Sequence, residues 1–552
     1  MSAPSSFDSI VSGNAPTPGA PEPAHSPDSV ITGSRLDDWC ARLLRTPARV
    51  QLWYWGGPLV ITVVAALLRL INLGSPHALV FDETYYVKDA WTLWNNGFES
   101  MWTGSDVDKA FISGHVNDFS TSGSYVVHPP LGKWLIALGM VLFGPANSFG
   151  WRFSAAIAGI IAVWLVIMIT RRLTKSTLLA CIAGGLMAID GMAISLSRVS
   201  VLDNFLMLFT LTGFYLIVLD RQWASTRLAA RLSQIRVDER APSWGPLVWW
   251  RPWLLLAGVA FGAACAVKWS GVWFLAIFGI YVVIMDALDR RRLGIPLWFS
   301  AAALKQAPIA FLTMVPVALV TYISSWTGWI VTSGGYYRHW IDDHPDLHAT
   351  GIWSWIPMWA QDLWFYHQTA YGFHVGLSTP HPYQSNPLMW LLMDRPTSMY
   401  YQGSSAGQNG CAFSACSEAI NPVDNPFIWY AAVAALVYLV YRFVRYRQWT
   451  VGVVLAGVAA GYLPWLMYLN RTVFSFYAIV FVPYLLIGLA ITIGIILGSR
   501  TDPREKRERR IALVSTYGIL ALVFSAFFYP IWTGIQTPLW FWQIHMWLPS
   551  WV

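Results

Sequence analysis

Apolar and polar positions follow one another along this chain in long blocks, not in the short periods of a soluble fold. Eleven apolar stretches stand out, over residues 57–75, 152–170, 177–196, 201–219, 253–267, 270–287, 307–325, 426–443, 450–468, 476–497 and 511–530. Most approach the ~20 residues a helix needs to cross the hydrocarbon of a bilayer. Lipid offers no partner for backbone N–H and C=O groups, so each stretch is expected to be an α-helix that satisfies its own. The stretch 253–267 is short and needs an extension or a tilt. Residues 1–34 have the opposite pattern, rich in Pro, Ser, Gly and Ala and nearly free of large apolar side chains, and read as a disordered tail. That tail holds no apolar run of the secretory kind, so the first spanning helix is expected to act as the membrane-targeting signal.

Composition agrees: 56% of the 552 residues are hydrophobic and only 12% charged, about half the charged share of a soluble domain, with a mean hydropathy of +0.47. The fold class expected is an all-α polytopic membrane protein. A net charge of +7 invites a nucleic-acid partner, and its distribution removes that reading. Arg35, Arg42, Arg45 and Arg49 precede the first span. Arg171, Arg172 and Lys175 follow the second, and Arg221, Arg227, Arg231, Arg236 and Arg240 the fourth. Arg290, Arg291 and Arg292 follow the sixth, Arg442, Arg445 and Arg447 the eighth, and a run from Arg504 to Arg510 precedes the last. Most of the 36 Lys and Arg thus gather on one side, as the positive-inside rule requires. The N-terminus is then cytoplasmic and the C-terminus external, and no basic domain is left for nucleic acid.

This phase divides the chain into a cytoplasmic tail over 1–50, with a basic juxtamembrane segment, and a transmembrane domain over 51–552. Two long stretches fall outside. Residues 76–151 hold adjacent carboxylates and the short apolar run Trp134 to Phe143, which reads as a helix lying at the interface or re-entering. Residues 326–425 are rich in Trp, Tyr, His and Pro, and loops of such length are usually functional. Cys411 and Cys416 lie in the second loop, spaced for a local disulfide in an oxidising compartment. The five cysteines form no metal-ligand pattern; Cys40, Cys181 and Cys265 are scattered through tail and helices.

The unusual polar residues all fall on the external side. Arg69 lies near the outer end of the first span and Phe81-Asp82-Glu83 follows it. His128-Pro129-Pro130-Leu131-Gly132-Lys133 closes the first loop, and Arg152 opens the second span. Arg198 and Asp203 occupy the turn between spans three and four, Lys268 that between five and six, and Arg471 that between nine and ten. Each has a plainer reading: a lone Arg snorkels to headgroups, Arg198 and Asp203 form an ion pair, Lys268 is solvated, and Asp82 caps a helix. None of these accounts for acid and base converging at one membrane face, where ionisable groups are functional suspects. Such a set suits transfer from a lipid phosphate. Cations hold the phosphate, for which Arg is suited by its planar fork, and a carboxylate takes the proton of an incoming hydroxyl.

In order and content these motifs, with Trp151-Arg152-Phe153-Ser154, Ser197-Arg198 through Leu202-Asp203, and Lys268-Trp269-Ser270-Gly271, resemble the protein O-mannosyltransferases, and among them the bacterial, actinobacterial type. The resemblance is strong from about residue 57 to 325 and looser beyond. It implies a GT-C membrane fold of the cell (plasma) membrane, a polyprenyl-phosphate-mannose donor, and Ser/Thr acceptors on exported proteins, met during or just after translocation. It implies Asp82 as catalytic base, Glu83 as an aid to acceptor orientation, and Arg152 as a donor-phosphate or active-site cation, with Arg69 near the same site. Arg198 and Lys268 complete the expected cations; His128, Lys133 and Asp203 are expected to support them. Eukaryotic relatives carry a β-trefoil MIR domain where residues 326–425 stand here, and this loop is too small for one. Acceptor or sugar contacts are then expected from Trp353, Trp355, Trp364, Tyr366, His381 and Tyr383, for which interfacial anchoring is the plainer role.

Two rivals remain open at this point. One is another GT-C enzyme moving aminoarabinose or arabinose to lipid or glycan, against which the His128–Lys133 stretch argues. The other is a flippase or transporter, which would line a midplane path with charge. The absence of a WWDYG stretch disfavours an oligosaccharyltransferase. A monophosphate donor has little need of a divalent ion, so no metal or other cofactor is expected.

Overall fold

The computed structural model describes residues 32–238 and 243–552. The expected tail lies outside the described residues up to residue 31, as do Arg240 and the side chain of Arg236. Among the described residues, eight helices are long and apolar enough to span: Pro47–Leu70, Ser148–Thr174, Leu202–Ile235, Gly271–Arg292, Trp298–Ser325, Pro426–Tyr446, Trp449–Met467 and Arg504–Thr533. Thr177–Ile189 and Gly191–Ser197, which meet at a 61° bend, make a ninth if counted together. The bend is built by Asp190, whose side chain turns away to accept the Ala193 N–H at 3.0 Å and so starts the second helix. The other two expected spans fall on Pro252–Val267 and Val482–Leu497, of 16 residues each. That is about 24 Å of helix against ~30 Å of hydrocarbon, so length alone does not support a count of eleven.

Helices cross closely where glycines face backbone. A Cβ on Gly262 would stand 2.4 Å from the Ala318 carbonyl oxygen, and one on Gly258 2.6 Å from that of Met314. Pro252–Val267 therefore packs backbone to backbone on Trp298–Ser325, the small-residue contact that membrane helices use in place of a hydrophobic drive.

The expected cytoplasmic tail is not irregular throughout. Arg35–Leu43 is a helix, started by a capping box in which the Ser34 hydroxyl accepts the Asp37 N–H and the Asp37 carboxylate accepts the Ser34 N–H. The next helix begins at Pro47. The first helix is clasped to the far end of the chain. Arg507 donates Nε–H to Asp37 at 3.0 Å, Arg504 pairs with Asp38, and Gly33 N–H reaches the Asp502 carbonyl at 3.1 Å.

The two stretches expected outside contain most of the remaining structure. The first holds the helix Glu83–Asn96, the strands β1 (Ser100–Trp102) and β2 (Phe119–Gly123), and the helix Leu131–Phe143, where the short apolar run was read. The second holds the helix Met358–Gly376 and a hairpin of β3 (Tyr400–Ser405) and β4 (Ala415–Ile420), joined by β5 (Thr537–Pro538) in the order β3-β4-β5.

Candidate active site

Asp82 and Glu83 are neighbours in sequence and differ completely in surroundings. Glu83 is fully buried and accepts four hydrogen bonds: Val80 N–H at 2.8 Å, Ser200 N–H at 2.8 Å, and Arg152 Nε–H and Nη2–H at 2.9 Å each. A carboxylate has about four lone-pair sites, so none remains for an acceptor. The aid to acceptor binding or orientation expected of Glu83 would have to come without a free lone pair. Asp82, at the helix start, makes no capping bond. The residue is half-buried, and among the described residues its carboxylate accepts only the Tyr86 hydroxyl, at 3.3 Å. Phe81 just before it is held at φ 49°, a left-handed conformation that costs a bulky residue about 1–3 kcal/mol. Its ring is wedged edge-on between Phe474, Phe476 and His381. That wedge and the Glu83 anchor fix the backbone on both sides of Asp82.

The three arginines expected to hold donor phosphate are spent inside the protein. Arg152 uses all five donors, on Glu83 and on the carbonyls of Leu73, Pro76 and Ala78. Arg69 donates to the carbonyls of Ala65, Met187 and Ala188 and to the Ser197 hydroxyl. Arg198 donates to the carbonyls of Leu68, Arg69, Ile71 and Asn72, closing the end of the first spanning helix, and keeps only Nε unpartnered. Lys133 is a latch as well, paired with Glu99 and donating to the His128 carbonyl at 3.2 Å. None of these four lines the main cavity.

That cavity encloses about 450 Å³, within the range of small-ligand sites. His128, Asp203, Lys268, His367, His374 and Arg471 meet at it, while Leu206, Val272, Trp273, Phe274, Ala460 and Trp465 make an apolar flank. Lys268 donates to Asp203 at 2.6 Å and stands 4.8 Å from the Tyr477 ring centre. Arg471 donates Nη2–H to His374 Nδ1 at 3.2 Å, and its buried Nε has no partner. Arg471 and Lys268 thus both keep donors to spare, Lys268 using one of its three on Asp203. His374 turns Nε2 to the Val127 carbonyl at 2.9 Å, which fixes Nδ1 as the acceptor facing Arg471.

Asp82 is not on the cavity wall but lies within electrostatic reach of Lys268 and Asp203, which are. Burial pushes its carboxyl up to about 6; Lys268 pulls down, Asp203 pushes up, and the Tyr86 hydroxyl pulls down. Burial, then the nearby cations Lys268, Lys133 and Arg471 together with His374, hold His128 well below the usual imidazole range. Burial, with Arg471 and Lys268 adding to it, brings His374 to about 4 against the bond to Val127. Both imidazoles are neutral at physiological pH, so the positive charge at the site resides on Lys268 and Arg471.

The aromatic candidates separate. His381 stands beside Phe81, 6.1 Å between ring centres, and Tyr383 beside His381 and Arg395. Tyr366 is buried in a second aromatic cluster, its hydroxyl donating to the Val126 carbonyl at 2.6 Å, and Trp353 is exposed on a separate turn. Neither lines the cavity. His367, His374 and Tyr477 went unread in the sequence; the i, i+7 spacing of the two histidines on Met358–Gly376 was the available signal. Cys411 and Cys416 are joined by a disulfide at the hairpin tip. In unreduced membranes neither thiol is expected to react with a maleimide until reductant is added. Labelling of both beforehand overturns the pairing.

Fold and site together define a polytopic membrane glycosyltransferase of the GT-C type. The family model described as dolichyl-phosphate-mannose-protein mannosyltransferase matches residues 59–332, and the C-terminal four-TMM region of protein-O-mannosyltransferase matches 359–551. The chain belongs to the protein O-mannosyltransferase family. It is 34% identical over 509 residues to the polyprenol-phosphate-mannose–protein mannosyltransferase of Mycolicibacterium smegmatis, covering 90% of this chain and 93% of that one. It is 31% identical over 523 residues to the enzyme of that name from Corynebacterium glutamicum, covering 91% and 94%. Its fold is similar to that of the Saccharomyces cerevisiae protein O-mannosyltransferase Pmt1–Pmt2 complex bound to the sugar donor, at a TM-score of 0.65 and 15% identity over 95% of each chain.

Proposed function

We propose that the protein transfers mannose from polyprenyl-phosphate-mannose to Ser/Thr hydroxyls of exported proteins, at the outer face of the cell membrane and with inversion. The observation that carries this reading is a cavity with one charged end and one apolar flank, within electrostatic reach of a carboxylate held by a single hydroxyl, that of Tyr86. The flank suits the first isoprene units, and Lys268 and Arg471 suit the phosphate. The acceptor oxygen attacks the anomeric carbon as the bond from that carbon to the phosphate oxygen breaks. Asp82 takes the hydroxyl proton, and polyprenyl phosphate leaves with the electron pair, its charge met by the two cations. Asp203 holds Lys268, and His374 holds Arg471.

The orientation proposed is a cytoplasmic N-terminus, an external C-terminus, a tail over 1–50 and a catalytic domain over 51–552. The clasp between Asp37 and Arg507 supports it, because both lie in segments that the charge pattern assigns to the cytoplasm. Membranes containing the protein, given labelled polyprenyl-phosphate-mannose and a Ser/Thr-rich peptide, test the function. Label on glycan or lipid with none on peptide would overturn it. Arg471→Ala is expected to weaken donor binding by about tenfold to a hundredfold, the worth of a charge-assisted hydrogen bond. Arg198→Ala is expected to lower thermal stability with the donor affinity of the folded fraction unchanged. Titration of both variants in nanodiscs checks the contrast, and equal loss of affinity would put the phosphate elsewhere.

A further inference from the structure

The hairpin presents a feature that the cavity does not use. β3 pairs with β4 over six residues, from Tyr400↔Ile420 to Ser405↔Ala415, and β4 gives its other side to β5. β3 is therefore an edge, and Tyr401, Gln402 and Gly403 are exposed in succession along it. Proteins normally guard such an edge with Lys, Pro, a bulge or a covering loop, because unpaired N–H and C=O groups template another strand. Among the described residues, this edge has no such guard. Its register is unbroken, it contains no Pro, and the only charged residue from Thr397 to Val423 is Glu418 on β4. The edge is also well supported, with the disulfide at its tip and Gln536 donating to the Asn409 carbonyl at 3.0 Å.

The base of the edge approaches the Arg152–Glu83 pair that anchors the backbone beside Asp82. Tyr400 packs against the main core, within electrostatic reach of Arg152. Arg152 is bound to Glu83, the residue after Asp82. We propose that the free edge of β3 takes up the acceptor polypeptide as an added strand and so delivers a Ser or Thr hydroxyl to Asp82. This rests on the mannosyl-transfer reading. An acceptor of that kind, not yet folded, offers an extended backbone, and backbone pairing accepts many side-chain sequences. The uncharged edge excludes neither acidic nor basic segments. The Ala406 N–H to Ser414 carbonyl bond, 3.3 Å, sets the parity: even-numbered residues of β3 pair with β4, and Tyr401 and Gly403 turn their backbone groups outward.

The test uses the full chain in nanodiscs, labelled donor, and one Ser-containing peptide made with a single N-methyl amide at each position in turn. N-methylation removes a donor and blocks approach at that residue. The acceptor KM is expected to rise about tenfold or more at every second position and stay unchanged between, with kcat and donor affinity held. On the protein side, Gly403→Pro removes one outward N–H and is expected to raise the acceptor KM likewise. Gly403→Ala, whose Cβ meets nothing closer than 3.8 Å, keeps that N–H and is expected to raise the acceptor KM far less than Gly403→Pro. An even N-methyl profile overturns the inference. So does a Gly403→Pro variant that turns a dimer into a monomer with the peptide KM unchanged, because the edge then serves a second copy. Absence of label on the unmodified peptide overturns the transferase reading and this inference with it, whereas label with an even profile overturns this inference alone.

Discussion

Asp82→Asn is expected to slow single-turnover mannosyl transfer by about 10²–10⁴-fold and to leave donor affinity at or slightly above wild type. Asn keeps the shape of Asp82 and its bond from Tyr86 but cannot accept the acceptor's proton, so the loss falls on the chemical step. Removing a negative charge near Lys268 also removes a small repulsion of the donor phosphate. The pH dependence follows from the carboxyl standing at about 6. The ionised base is lost as pH falls through 6, so the rate should drop about tenfold per pH unit below that point and level off above it. An ordinary Asp would hold the plateau down to about pH 4. Asp203→Asn should move the midpoint to lower pH, since Asp203 pushes Asp82 up and its loss frees the charge of Lys268. Single-turnover rates from pH 4.5 to 8 decide the matter. A flat profile down to pH 5, or near-normal transfer by Asp82→Asn, removes Asp82 as the base.

The sequence showed much of this site, and its misreadings share one cause. The apolar blocks marked the helices, and the charge phase put Asp82, His128, Asp203, Lys268 and Arg471 on one expected side; the last four line the cavity, with Asp82 in electrostatic reach. What a string of residues does not display is the direction in which neighbours point. Adjacent residues at a helix start lie about 100° apart, enough to turn Glu83 into the core while Asp82 beside it stays half-buried. Arg69, Arg152 and Arg198 were expected as donor-phosphate or active-site cations from the resemblance. They are partners of main-chain carbonyls, and carbonyls carry no sequence signature. The histidines of Met358–Gly376 lie among so many aromatics that spacing alone did not single them out. The 16-residue helices show the limit of hydropathy, which marks an apolar segment without saying whether it crosses.

Glu83→Gln and Arg152→Ala are each expected to cost on the order of 3–5 kcal/mol of stability, the toll of leaving one member of a buried ion pair alone. Gln at 83 keeps one acceptor oxygen but turns an amide toward groups that are themselves donors. Ala at 152 strands Glu83 and three carbonyls in a site with no water access. The segment from Leu73 to Val80 would lose the tie that sets Asp82, so yield of folded protein and thermal midpoint should fall together. The double variant Glu83→Gln/Arg152→Ala should lose less than the sum of the two, because the second change removes a partner already missing. Size-exclusion yield and thermal unfolding of the three proteins measure this. Were Glu83→Gln to unfold like wild type while its acceptor KM rose, Glu83 would be an acceptor ligand after all.

The clasp between Asp37 and Arg507 joins positions 470 residues apart, and that separation dictates when it forms. A ribosome releases the first spanning helix long before Arg507 exists, so Asp37 waits through the synthesis of nearly the whole chain. Closing so large a ring costs about 5 kcal/mol in chain entropy, and a largely buried ion pair loses much of its attraction to the hydration it gives up. The closing force must come from the last helix seating in the bundle, where Asn425 donates to Ser525 at 2.8 Å and Tyr529 to the Leu68 carbonyl at 2.9 Å. The clasp therefore registers completed assembly instead of driving it. A nascent chain stalled before Arg504 would keep its first helix unfastened, and a protease acting on that side of the membrane could tell unfinished molecules from finished ones by that end alone.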